Sequence, residues 1–256
     1  MPSTWPLLML LWTAPAVAHA PDCDSAEEET EPAPKPQRTG LIDLNGTYDT
    51  RGFGVYTVVL LANLPARVQY FSMTNYAAAS GAERYSDLEG FYSEQNLRVA
   101  PAQKVPIAAT AQWVVRSGPA NDTLRLGARW RVGATPGLKD LFAALRLNYS
   151  VNVHIVQSDF AKTPGWSWQM EHAYRARLFP DQLDGRVYVA GFADHNIVQG
   201  GSDGAYSSRV VTEHQLGVRT WGQLYAVVEA RRNEFMDQQP NGLGVGLEYM
   251  MPLVMR

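Results

Sequence analysis

Residues 124–132 read Leu-Arg-Leu-Gly-Ala-Arg-Trp-Arg-Val, and residues 141–155 read Leu-Phe-Ala-Ala-Leu-Arg-Leu-Asn-Tyr-Ser-Val-Asn-Val-His-Ile. In the first stretch Leu124, Leu126, Ala128, Trp130 and Val132 share one face, and Arg125, Gly127, Arg129 and Arg131 share the other. In the second, Leu141, Ala143, Leu145, Leu147, Tyr149, Val151, Val153 and Ile155 alternate with Phe142, Ala144, Arg146, Asn148, Ser150, Asn152 and His154. A period of two is the signature of a β-strand, and here it lasts about fifteen residues against the usual roughly five or six. A strand with one greasy and one charged face suits either a soluble sandwich or a membrane barrel. Sandwich strands stay short, whereas a strand crossing the bilayer needs roughly 9–11 residues, with its apolar face to lipid and its polar face to the lumen. The length predicts the barrel.

Composition agrees with that reading. Hydrophobic residues make up 46% of the 256 and charged ones 18%. A helical membrane protein would be greasier, while a barrel conceals its hydrophobicity by alternation. No run approaches the roughly 18 apolar residues of a spanning helix. With a net charge of −3 and no basic cluster, the sequence offers nothing to nucleic acid.

Outward from the strands, residues 1–20 read as a secretory signal peptide. An apolar stretch, Leu7–Leu11, precedes small residues at Ala16-Val17-Ala18 and Ala18-His19-Ala20, so cleavage is expected after Ala18 or Ala20. The apolar run is too short to favour an uncleaved anchor. Cys23 is the only cysteine, which excludes an internal disulfide, and the preceding Ala20-Pro21-Asp22 does not suit a lipoprotein signal. Residues 21–39 are acidic and proline-rich and are expected to be a disordered linker. This tail holds six of the chain's 25 acids and two of its 22 Lys and Arg, leaving a nearly neutral remainder with 19 acids and 20 bases.

From residue 40 to 256 strands and turns alternate to the end, and twelve can be counted, which fits the even number expected of single-chain bacterial barrels. The first runs about Leu41–Thr50, the seventh Leu141–Gln157 and the last Leu243–Leu253. Val55–Leu64 is apolar on both faces, so its orientation is open. With both ends periplasmic, the connections after even strands should be short: 64–66, 101–106, 133–140, 180–185 and 221–222. The longest expected loops, Ala77–Ser86 and Asn196–Ala205, fall on the opposite side. The fold class is therefore all-β, a single antiparallel up-and-down transmembrane β-barrel.

With a signal peptide, twelve amphipathic strands and the C-terminal Gly244-Val245-Gly246-Leu247-Glu248-Tyr249, the chain resembles the bacterial outer-membrane β-barrel proteins. Its size and strand number are similar to the Tsx-like nucleoside channels. The resemblance implies a Gram-negative outer-membrane location, contact with outer-membrane lipid, and delivery to the barrel-assembly machinery through the last strand. It is a resemblance of class and carries no substrate residue. The chain also departs from the class's assembly signal, ending Leu253-Val254-Met255-Arg256 and not on an aromatic residue.

If the apolar faces meet lipid, the lumen receives Arg98, Arg116, Arg125, Arg129 and Arg131, then Arg146, Arg175, Arg177, Arg219 and Arg231. It also receives Asp43, Glu94, Glu171, Glu213, Glu229 and Glu248. Rings of arginine favour anions, and their forks hold carboxylates and phosphates bidentately; Arg125, Arg129 and Arg131 form a ladder on one strand. The structural alternative is that Arg and Glu pair and fill the interior, since twelve strands lie between filled eight-stranded barrels and open porins. Alternation sends Glu171 and His172, and Glu213 and His214, to opposite faces, so neither pair makes a metal site. No metal or cofactor is expected.

Three functions are in competition. A small diffusion channel or porin for polar or anionic solutes leads. A closed structural or adhesion-like barrel acting through extracellular loops follows. A lipid hydrolase trails: it would need a Ser–His contact on the outer face, and Ser167, Ser207 and Ser208 carry no nucleophile motif. The chain is accordingly expected not to be an enzyme.

Overall fold

The computed structural model describes residues 38–78, 88–102, 104–118, 122–159, 167–199, 206–235 and 239–255. The expected signal peptide and all but the last two residues of the expected linker lie outside the described residues.

Twelve strands follow in chain order: β1 (Arg38–Asp49), β2 (Phe53–Leu64), β3 (Val68–Ala78), β4 (Leu88–Val99), β5 (Ile107–Arg116), β6 (Thr123–Arg131), β7 (Leu147–Asp159), β8 (Ser167–Leu178), β9 (Val187–Gln199), β10 (Tyr206–Trp221), β11 (Leu224–Asn233) and β12 (Asn241–Met255). Each is antiparallel to its sequence neighbour. β1 then pairs with β12 from Arg38↔Met255 to Asp49↔Gly244, which closes the sheet into a barrel. Closure leaves no edge, so every strand has a partner for its backbone N–H and C=O groups on both sides, as a lipid environment demands. The end of the barrel that holds Arg38 and Met255 is called here the terminal end, and the opposite one the far end.

The faces sort as a transmembrane barrel requires. Leu97, Ile107, Trp113, Leu126, Trp130, Ile155 and Val228 are exposed outside, whereas Asp43, Glu94, Arg98, Arg125, Arg129 and Glu171 are buried inside. Adjacent residues of β12 show the contrast: Leu247 is 55% exposed and Glu248 2%. A soluble protein sorts these residue types the other way round.

Two expectations need correction, and one left open is decided. The strand expected to begin at Leu141 begins at Leu147; residues Lys139–Ala144 form a short helix, α1. Leu, Phe and Ala suit a helix as well as an alternating strand, so the apolar run was ambiguous. The connection from Val132 to Arg146 is consequently long, with a 3-10 turn before α1, and not the short link expected at this end. Finally, β2 turns Phe53, Val55, Val59 and Leu61 inward and Tyr56 and Val58 outward. It is apolar on both faces because the interior beside it is itself apolar.

That interior is filled. Val59, Leu61, Phe71, Met73, Tyr92 and Val114 from one side join Tyr188, Ala190, Phe192, Val211 and Val227 from the other in one hydrophobic cluster. At Gly127 a bulge between β6 and β7 brings the backbones so close that a Cβ would lie 1.9 Å from the Val153 carbonyl oxygen, and only glycine fits there.

Candidate functional site: the charged interior

Three clusters of the polar interior, each fixed by strand register, hold the expected charges. At the far end Arg231 on β11 ion-pairs with Glu213 on β10 at 3.0 Å and Asp49 on β1 at 3.6 Å, and also with Glu229 two residues before it. Asp49 is held as well by Arg51 at 2.7 Å, and Asn45 donates to Glu229 at 3.1 Å. This cluster is the Arg–Glu filling anticipated as the structural alternative.

Along β4 to β8 the charges are arranged differently: neutral carboxamides stand between arginine and acid. Arg125 Nη1 donates to Gln112 Oε1 at 2.8 Å, and Gln112 Nε2 donates to Glu94 Oε1 at 2.6 Å. Asn96 donates to the same Glu94 oxygen at 2.6 Å, and Asn152 donates to Glu171 at 2.7 Å. Gln169 donates to Asp194 at 2.8 Å.

At the terminal end, Arg98 on β4 and Arg129 on β6 both donate to Gln69 Oε1 on β3, at 3.1 and 2.8 Å. Gln69 Nε2 donates to Asn63 Oδ1 at 3.0 Å, which fixes the direction in which the carboxamide points. Arg129 also reaches Ser150 Oγ at 3.3 Å, and Arg98 lies 4.9 Å from the Phe71 ring centre. Among the described residues neither arginine has a carboxylate within salt-bridge distance.

Of the expected lumen residues, Arg98, Arg125, Arg129, Arg231, Glu94, Glu171, Glu213 and Glu229 are buried inside. Arg175 is half-buried over the Tyr188 ring at 3.9 Å, and Arg116 lies over Tyr92 at 5.4 Å. Four placements fail. Arg146 follows α1 in a left-handed conformation (φ 49°) and is exposed, because the strand starts after it. Arg131 and Arg177 are exposed at the terminal rim, where the strands run out of the barrel. Arg219 also lies at that rim, paired with exposed Asp184 at 3.0 Å. The three-residue arginine ladder on β6 therefore reduces to Arg125 and Arg129.

The histidines divide as alternation predicts: Glu171 and Glu213 point in, His172 and His214 out. On the outer face Tyr149 meets His172 at 2.6 Å and Tyr174 meets His214 at 2.9 Å. His154 is wholly buried inside, with neither ring nitrogen hydrogen-bonded among the described residues. A Ser–His contact does exist outside, Ser208 Oγ to His195 Nε2 at 2.7 Å. The other interaction of His195 is edge-on with Trp168, so among the described residues no third group orients the ring, as a catalytic dyad would require.

Gln69 and Gln112, which organise these charges, were not singled out from the sequence. Gln112 sits opposite the apolar face of an alternating strand, but nothing in β5 alone links it to an arginine.

The chain matches no protein-family model and no curated protein. Among solved structures it is similar to the KdgM porin, with 10% identity, a TM-score of 0.49, and 82% of this chain and 98% of that one covered. The KdgM porin in complex with disordered oligogalacturonate gives 10% identity and a TM-score of 0.47, with the same coverage. Pseudomonas aeruginosa OccK10 (OpdN) gives 10% identity and 0.37, over 86% of this chain and 99% of that one. These are likenesses of barrel form between chains of very different sequence.

Proposed function

We propose that the chain is a narrow outer-membrane channel for small polar or anionic solutes, closed in the conformation described here. The supporting observation is the band of charged and carboxamide side chains along β4 to β8. By strand register it runs from Arg129, Glu171 and Arg98 at the terminal end, through the paired Gln112 and Arg125, to Glu94 one step nearer the far end. Apolar side chains would fill an inert interior at lower cost, because each buried ion carries a desolvation penalty of several kcal/mol. A wall of fixed charges insulated by carboxamides suits a path that hydrates when it opens. An outer-membrane setting fits a closed barrel with an apolar outside, alongside the signal peptide expected from the sequence. On this reading no catalytic residue is involved, and the last strand serves assembly.

The second reading is a filled barrel that acts only through its surface. It is favoured by the hydrophobic cluster, which joins β1–β5 to β8–β12 across the interior. Conductance of refolded protein across a planar bilayer separates the two. Discrete openings with anion preference, weakened in Arg129→Ala, are the result expected of the channel. A silent bilayer, from protein shown to be folded by its heat-modifiable gel mobility, sinks the channel and leaves the filled barrel.

A further inference from the structure

We propose that Arg98, Arg129 and Gln69 form a binding site for a carboxylate-bearing small molecule, and that the Gln69 side chain occupies it in the closed form. The assignment deepens the channel reading and rests on it for its purpose, because the site would then hold solute at the terminal end of the path.

Two guanidinium groups from strands two apart converge on one neutral oxygen. Both arginines are buried, at 3% and 6% exposure. Among the described residues their Nε atoms have no hydrogen-bond partner. The carboxylates that act on Arg98 through space, Glu171 and Glu94, are engaged by Asn152 and by Asn96 and Gln112. Two like charges and two idle donors around a single uncharged acceptor form an anion site whose acceptor carries no charge.

The chemical class follows from the occupant. A carboxamide and a carboxylate have the same planar shape, and the carboxylate adds a charge and a second acceptor. A solute carboxylate replacing the Gln69 oxygen keeps both present bonds and offers an oxygen to the idle Nε donors. Guanidinium forks are matched to that geometry. The Ser150 hydroxyl beside Arg129 supplies a further polar contact.

The test uses the full chain, refolded in detergent and checked by heat-modifiable mobility, with acetate at constant ionic strength as the probe and saturation-transfer NMR as the readout. Wild type is expected to bind acetate. Arg98→Gln and Arg129→Gln should each weaken binding at least tenfold. Gln69→Glu, which builds the carboxylate into the chain, should abolish it. Gln69→Ala, which vacates the site, should retain it or tighten it severalfold, and Arg219→Gln at the rim should change nothing. If an arginine-to-glutamine variant fails to fold, the lysine variant keeps the charge without the fork and should still bind more weakly. The proposal is overturned if the folded wild type binds no acetate, if binding is indifferent to both arginines, or if Gln69→Glu binds like wild type. The same preparations go to the planar bilayer. Acetate binding with a silent bilayer removes the channel and keeps the anion site; a conducting bilayer without acetate binding removes the site and keeps the channel.

Discussion

Arg98 and Arg129 donate to the same oxygen of Gln69, at 3.1 and 2.8 Å, from strands separated by β5. Removing that acceptor while preserving bulk leaves buried N–H groups on both arginines without a partner. Each orphaned donor costs about 1–3 kcal/mol. Gln69→Leu should therefore lower the unfolding free energy by about 2–6 kcal/mol in all, read from urea denaturation followed by gel mobility. A loss below about 0.5 kcal/mol would mean that the arginines find other acceptors, in line with a surface-like substitution.

Arg231 is the counterpart case, a guanidinium shared among Asp49, Glu213 and Glu229. The three acids come from β1, β10 and β11, so the arginine ties the seam between the two ends of the chain. Arg231→Met leaves three buried carboxylates around an apolar side chain. Breaking a buried ion pair from one side costs about 3–5 kcal/mol. The same denaturation assay should show a loss of that size, and Glu213→Gln alone should cost less, because two acidic partners remain.

Glu234 lies just beyond β11. Its Oε1 accepts from Arg232 at 3.1 and 2.8 Å, and its Oε2 accepts the Val210 N–H at 2.8 Å. The Arg232 hydrogen bonds, and after them the Val210 N–H, hold its carboxyl below the usual value of 4.5. A lowered folded value means the contribution is complete above the unfolded pKa and is lost as pH falls through the folded one. Carboxyl NMR titration should place Glu234 below 4.5, and Arg232→Ala should return it toward that value. A wild-type titration at the ordinary position contradicts the contact.

Much of this barrel was legible because lipid outside and charge inside impose opposite chemistry on successive residues. Leu124 to Trp130 and Tyr149 to Ile155 face as alternation predicts, and so do the Glu-His pairs at 171–172 and 213–214. The period fails where both sides want the same residue type: β2 is apolar on both faces because lipid lies on one side and the hydrophobic cluster on the other. It misleads at Leu141–Leu145, where an apolar run satisfies a helical turn. The role of Gln69 was out of reach for another reason. Its meeting with Arg129 is set by barrel closure between strands 60 residues apart, and no local pattern encodes it.

Tyr188 is held inside the barrel from four other strands. It projects inward from β9 and donates to Glu248 on β12. The Arg175 guanidinium lies 3.9 Å from its ring centre, and Tyr225 meets it edge-on at 5.5 Å. Gly217, its partner on β10, lacks a side chain where one would collide: a Cβ there would stand 2.1 Å from the ring. Contacts from β8, β10, β11 and β12 thus converge on one ring. If the interior is a closed channel, Tyr188→Ala should raise single-channel conductance severalfold, because a large bridging ring is gone and Glu248 and Arg175 are left facing water. The same change should cost about 3–5 kcal/mol of stability, as large aromatic truncations do. Gly217→Ala should displace the ring without deleting it, and so give an intermediate conductance. A folded Tyr188→Ala barrel that conducts no more than wild type would mean that the hydrophobic cluster, and not this ring, closes the path.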